Sequence, residues 1–343
     1  MANLFKTYQL IALILSFTTD NKKLEAHIKN KTVDWDALVK IGSSHLVLPT
    51  IYCRLKERKL LDLLPDELTA YLEQLTSINR NRNLGLIEEA TSISKLLMKH
   101  EIKHVFLKGI ALLCSNVYRD TGERMVGDID ILVEKEQEKR AFKLIQSSGY
   151  NRTIGFDYEV KGHRHLDRLV NTKKLAAIEL HNALFNLKHQ DQIDIYDFFN
   201  STHVEGGIPI PSLQFLGLHN VLSWQINDKG YYYCSISLKS IYDSLVLDIN
   251  KNNVLEERLT NKYIKSYLSL ASIHFKDFDS LGFKQNVFKR FLYNLKFHFP
   301  ILHKTLKQFQ FVAISFLERI HLLVFNQSYR KHLLSKILSK VNS

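Results

Sequence analysis

The thirteen glycines of this 343-residue chain are unevenly placed. Residues 1–108 hold two of them, Gly42 and Gly85, and residues 231–343 hold one, Gly282. The other ten fall between Gly109 and Gly230. Glycine permits tight turns and close backbone approach, and it weakens helices. The distribution predicts a centre of strands and turns between two helical flanks, an α+β chain. The expected divisions are a helical region over 1–100, an α/β core over 101–210 and a helical region with a basic tail over 211–343.

Local signals support that division. Asp34 or Thr32 can cap a helix through Trp35, Leu38, Val39 and Ile41. Pro49 opens another, and Pro65-Asp66-Glu67 reads as a further start. From Tyr71 to Met98 apolar residues recur at three and four, which predicts a long amphipathic helix. Leu10 to Phe17 reads as the core face of a first helix rather than a signal peptide, because no basic cluster precedes it and no small-residue cleavage site follows.

The centre changes period. Strands are predicted at 104–107, 128–133, 152–160, 164–171 and 175–181, with turns at Lys161-Gly162 and 172–174. Helices are predicted at 110–118 and 134–148, the second stopped by Gly149. Beyond Gly206-Gly207, Pro209 and Pro211 mark a transition. Ser212 then caps a helix reaching Trp224, another spans 236–247, and helices rich in Phe, Leu and Lys follow, broken at Pro300.

Composition narrows the class. Hydrophobic residues make up 45% and charged residues 24%, which excludes a disordered chain or a fibre. Cys53, Cys114 and Cys234 are too few and scattered for a disulfide framework; reduced and buried thiols fit a cytoplasm, with a peripheral membrane location as the variant. No apolar run reaches the length that spans a bilayer. The net charge is +12, and residues 284–343 carry eleven Lys or Arg against a single acid, Glu318. Nearly all the excess thus lies in the last sixty residues; such a region attracts anions (nucleic acid, an acidic membrane surface or phosphorylated ligands) or is equally a plain solvated basic face.

The sharpest motif is Gly127-Asp128-Ile129-Asp130-Ile131-Leu132-Val133. On a strand Asp128 and Asp130 project to one face while Ile129, Ile131 and Val133 face the other. Two such carboxylates repel unless a cation lies between them, and Mg²⁺ suits oxygen donors shared with phosphates. Alone, Asp-x-Asp is commonly a surface pair. Upstream, Leu107-Lys108-Gly109 ends a strand and feeds a helix, where glycine lets backbone approach a phosphate. Downstream, Ile178-Glu179-Leu180-His181 offers a third carboxylate. Carboxylates in this order can build a two-metal phosphoryl-transfer site.

These runs, LKGIALL, YRDTGERMVGDIDILV, SSGY and IELH, together resemble the uncharacterised nucleotidyltransferase family of the DNA polymerase beta-like superfamily. The resemblance covers roughly residues 1–245 and is strongest over 104–181. Gly109 matches the first glycine of the superfamily signature, and Ile110 stands where a second glycine or serine is usual. The resemblance implies a mixed-sheet core that transfers a nucleoside monophosphate from a triphosphate such as ATP, using two Mg²⁺ ions, to an acceptor that could be a protein, an RNA end or a small molecule. It implies that Asp128, Asp130 and Glu179 hold the metals, and that Glu179 helps deprotonate the acceptor. It implies that Lys108, Gly109 and Arg124 position phosphates. It also puts Lys239 and Asp243 on the wall of the nucleotide cleft; from spacing alone they could simply pair along a helix.

His181 reads as a partner of the carboxylates or one that orients the nucleotide. A zinc site built from His163, His165, Glu179 and His181 is the less favoured reading. Trp224 with Tyr231-Tyr232-Tyr233 could stack a base, although aromatic runs in helical regions usually pack. Two rivals stand beside the enzyme: an inactive nucleotidyltransferase-fold scaffold, and an anion-binding protein acting through residues 284–343.

Overall fold

The computed structural model describes residues 4–29, 33–155, 158 and 163–341. Its centre is a five-stranded mixed sheet of β1 (His104–Phe106), β2 (Ile129–Val133), β3 (Arg152–Ile154), β4 (Arg168–Val170) and β5 (Ile178–His181), in the order β1-β2-β5-β4-β3. β2 pairs antiparallel with β1 and parallel with β5. Every residue of β1, β2 and β5 is buried, as expected where helices cover a sheet. A separate hairpin joins β6 (His203–Glu205) to β7 (Ile208–Ile210). Its turn is Gly206-Gly207, with φ of +57° and +84°, the conformation a two-residue hairpin loop requires.

The helical flanks are present on both sides. Asp34 caps helix Trp35–Ser44 by accepting from the Ala37 N–H at 2.8 Å. The alternative cap Thr32, the outer part of the strand expected over 152–160, and the turn at Lys161-Gly162 lie outside the described residues. Helix Leu4–Leu15 buries Leu10, Ile11, Ile14 and Leu15, so the first apolar stretch is core. The predicted long helix begins earlier, at Asp66, and runs 34 residues to Lys99. The helix expected over 110–118 instead spans Lys108–Cys114; Asn116 at φ +56° ends it. Helices Leu213–Ile226 and Leu238–Val246 pack on each other, the first also on Lys108–Cys114, and Ser212 caps the first of them.

One expectation is overturned. Helix Pro300–Phe325 has 26 residues, reaches a mean hydropathy of 1.3 and buries nothing, so by length and composition it is a candidate to cross a membrane. Its apolar residues are spaced among charges along a helix, which hides them from a search for unbroken runs.

The segment Arg119–Gly127 is a loop whose middle, Gly122, Glu123, Arg124 and Val126, is buried and held by the polar face of the long helix. Asn79 Nδ2 donates to the carbonyls of Gly122 (2.8 Å) and Arg124 (3.0 Å). Asn83 Nδ2 donates to those of Thr121 (2.6 Å) and Arg124 (2.8 Å). Arg80 forks onto Asp120, and Tyr242 donates to Glu123 at 2.7 Å. A loop without ladder partners can be buried only if its carbonyls are satisfied this way.

Asn83→Ala should therefore lower the unfolding free energy by about 2 kcal/mol, the penalty for buried acceptors that lose a donor. Urea melts check this, with Asn81→Ala on the exposed face of the same helix expected to leave the midpoint unchanged.

Candidate active site

The site is built where β2 and β5 run side by side. Their parallel register sets Asp130 opposite Glu179 and Leu132 opposite His181. Asp128, just before β2, shares the face of Asp130. Three carboxylates thus crowd one patch, and the protein answers with its own cations. Lys108 Nζ lies 2.6 Å from Asp130 Oδ1. Arg168 of β4 reaches Asp128 Oδ2 at 3.2 Å and binds Glu179 Oε1 through both Nε, at 3.1 Å, and Nη2.

Lys108 sits at φ +46°, left-handed backbone that a lysine adopts only under constraint. That turn aims its ammonium at Asp130. Gly109 is required by packing: a Cβ there would stand 2.6 Å from Val126 Cγ1 and 2.9 Å from Arg124 Nη1. Ile110 is fully buried. The close approach at this turn is therefore made by the Arg119–Gly127 loop.

His181, 1% exposed, lies beneath the carboxylates. Its Nδ1 faces Arg164 Nη1 at 3.2 Å, and arginine can only donate. Nδ1 is then the acceptor, and Nε2–H donates to Asp130 Oδ1 at 2.8 Å. Burial pushes the imidazole down to about 4, outweighing the pull of Asp130, so it is neutral at pH 7. Asp130 is buried, which by itself would raise it, but Lys108 and His181 hold its carboxyl well below the usual range. Glu179 is also lowered: burial and Asp130 act against ionisation, and Arg168 and His181 overcome them. Burial keeps Asp128 above the usual range even with Arg168 beside it.

Beside this patch is a cavity of about 380 Å³ lined by Lys108, Arg124, Asn220, Trp224, Asp228 and Lys239, among others. Arg124 is buried and committed to Asp243, donating through Nε at 3.1 Å and Nη2 at 2.9 Å. Tyr118 Oη donates to the same carboxylate at 2.5 Å. Asp243 is thus tied to Arg124 and Tyr118, and its neighbour Lys239 lines the cavity. Burial, with Arg124 next in effect, lowers the Lys239 ammonium. Tyr231 packs on Tyr263 and beneath Lys289, which is core-type packing; Trp224 alone of the aromatic group lines this cavity, its Nε1–H donating to the Ser235 carbonyl at 3.1 Å.

Oxygen and nitrogen atoms of Asp130, Glu179 and His181 lie within 4.8 Å of one another, a group able to hold a metal ion among the described residues. With Nε2–H turned to Asp130, His181 orients a ligand. Asp128, Asp130 and Glu179 remain as hard oxygen donors, and that set fits a divalent cation. His163 and His165 direct Nδ1 to the carbonyls of His165 and Leu166, and the His165 ring packs against that of His181 at 5.5 Å.

Sequence reasoning brought together Lys108, Asp128, Asp130, Glu179 and His181, which meet here. It missed Arg168 and Arg164. The available clue was electrostatic: three converging carboxylates require counter-charge, and the predicted strand between the acidic ones carries both arginines.

The mixed sheet and its paired carboxylates define a nucleotidyltransferase-like α+β fold. The chain belongs to the uncharacterised nucleotidyltransferase family, whose model matches residues 31–247. Membership makes it a transferase in general terms. No curated protein matches the chain.

The tautomer is testable by long-range ¹H–¹⁵N spectra. His181 should stay neutral with Nε2–H at pH 6 and titrate near 4. The unfolded chain protonates first, near 6.5, so stability should fall by about 3 kcal/mol as pH drops from about 6.5 to 4 and not recover below. His181→Asn should remove that part of the acid slope.

Proposed function

We propose that this chain transfers a nucleoside monophosphate from a triphosphate to an acceptor hydroxyl, with Mg²⁺, and releases pyrophosphate. The observation that carries the reading is the convergence of Asp128, Asp130 and Glu179 beside a cavity with Lys108 and Lys239 on its wall. The cavity is within the range of small-ligand sites.

In this reading Asp128, Asp130 and Glu179 hold the metal. Bound there, Mg²⁺ would neutralise the triphosphate and polarise the α-phosphate. His181 keeps Asp130 ionised and oriented. Lys108, already at the seam between carboxylates and cavity, exchanges Asp130 for phosphate oxygens. Arg168 would release Glu179 to the metal and pair instead with the oxygens of the departing pyrophosphate. Glu179 accepts the acceptor's proton as the acceptor oxygen bonds to the α-phosphorus. The bond to the bridging oxygen breaks, and pyrophosphate departs with the electron pair. Asn220, Trp224 and Lys239 contact the nucleoside, and Arg124 with Asp243 fixes the wall behind it.

A second reading has its own observation: Lys108 and Arg168 already neutralise the carboxylates, as an inactive nucleotide-binding scaffold would need.

Thermal melts with each of the four ribonucleoside triphosphates, with and without Mg²⁺, separate these readings. The enzyme should gain about 2.7 kcal/mol at one hundred times Kd with a Mg²⁺-dependent nucleotide. Asp128→Asn/Asp130→Asn should abolish the metal-dependent part and any transfer of label from that nucleotide. A shift indifferent to Mg²⁺, unchanged by the double substitution, would support the scaffold.

A further inference from the structure

The last two helices expose what a folded chain normally hides. In Pro300–Phe325, Leu302, Leu306, Phe309, Phe316, Ile320 and Leu323 are all exposed. Their spacing alternates between threes and fours, apart from one seven-residue step, so they form a stripe down one face, flanked by the exposed Ile301, Val312, Leu317 and Val324, with Phe311 and Phe325 exposed outside it. Phe309 is 72% exposed and Phe316 62%. The stripe spans about 32 Å at the rise of an α-helix. Helix Gln327–Val341 follows with Leu334, Ile337 and Leu338 exposed on one face. Arg330 Nη1 ties the corner between them, donating to the carbonyls of Leu323 at 3.0 Å and Val324 at 2.8 Å. Scattered surface hydrophobes are ordinary; a continuous stripe of this kind marks an interaction face.

Charge selects the occupant. Residues 300–343 carry seven Lys or Arg and one acid, Glu318, and Glu318 is paired with Lys229 at 2.7 Å. Lys304, Arg319, Lys331 and Lys336 are exposed. We infer that helices Pro300–Phe325 and Gln327–Val341 dock the protein on an anionic lipid bilayer, lying in the interface with the stripe in the acyl boundary and the basic side chains among the headgroups. A second copy would bring the same positive charge to the same face, with almost no acid to meet it. Nucleic acid would leave the apolar stripe in water. A crossing orientation, which length and composition alone would allow, would carry Glu318 and Arg319 into the hydrocarbon, a costly placement for charged side chains. An apolar face flanked by Lys and Arg is the pattern of an in-plane helix, and long basic side chains reach headgroups from beside it.

The test is flotation of the full chain with two vesicle types, pure phosphatidylcholine and the same lipid with about a third phosphatidylglycerol. Binding to the anionic vesicles should exceed binding to the neutral ones at least about tenfold. Phe309→Ser/Phe316→Ser should reduce it at least about tenfold, and Lys331→Glu/Lys336→Glu should weaken it selectively on anionic lipid. Both pairs are exposed, so the melting temperature should stay that of the wild type. Failure to float with anionic vesicles overturns the inference, as does binding that survives Phe309→Ser/Phe316→Ser. Two results on a chain that does not float would reassign the face: a dimer in sedimentation velocity that this double substitution disperses, to self-association; and salt-sensitive retention of RNA, to nucleic acid.

Discussion

Repulsion among three carboxylates is the constraint around which the centre of this protein is arranged. The parallel pairing of β2 with β5 fixes Asp130 opposite Glu179, and period-two geometry adds Asp128 to the same face. Like charges this close, in a partly dehydrated place, raise one another's affinity for protons. Ionisation survives only where cations are held against them. That requirement explains the left-handed backbone at Lys108, the reach of Arg168 from a neighbouring strand to two acids, and a buried neutral histidine whose N–H faces Asp130. A site balanced in this way can exchange its internal cations for metal and phosphate without changing its total charge greatly.

Delivery of Asp128 depends on a second device. The segment before it lies outside the described strands, and its middle, Gly122 to Arg124, is buried. Asn79, Arg80 and Asn83 on one face of helix Asp66–Lys99 supply its hydrogen bonds, while Asp243 of helix Leu238–Val246 holds Arg124 from the other side. The helical flanks are therefore structural parts of the site. Both lie inside the matched family region, 31–247, which makes the whole of that region one mechanical unit rather than a catalytic sheet with optional helices.

Much of this was legible in the residues because the signals are local. Glycine placement marked the strand-and-turn centre. Alternation in Asp128–Val133 gave both the buried face and the shared carboxylate face. Asp34, Pro65 and Ser212 marked helix starts. What could not be read is non-local. Nothing in the order of residues states that β5 joins β2 parallel, or that Arg124 pairs with Asp243 across 119 positions. The i,i+4 spacing of Lys239 and Asp243 suggested a helix pair, yet Arg124 and Tyr118 take the carboxylate, because a buried bidentate fork meets it more fully than an edge lysine. The hairpin at Gly206-Gly207 did carry a readable signal; Pro209 and Pro211 masked it. Pro209 is tolerated since it sits in a two-stranded ribbon whose strands are both edges.

The terminal helices stand outside this economy of burial. Among the described residues the main apolar core draws its buried side chains from between Tyr8 and Tyr293, with Phe297 packed against it. Residues 300–341 add little to it: among the described residues there, Tyr329 is the one buried apolar side chain, while many others are exposed. Apolar side chains that do not serve the core, set beside basic ones in a part of the chain beyond the family match, have the composition of an adaptor rather than of a scaffold. The charge follows the same division. Three of the buried acids, Asp130, Glu179 and Asp243, are matched by Lys108, Arg168 and Arg124, and most of the excess of +12 belongs to the last sixty residues. In the proposed docking, a long-range field from the tail would orient the whole molecule toward an anionic surface, while the balance at the carboxylates is short-range and set by the cations held against them.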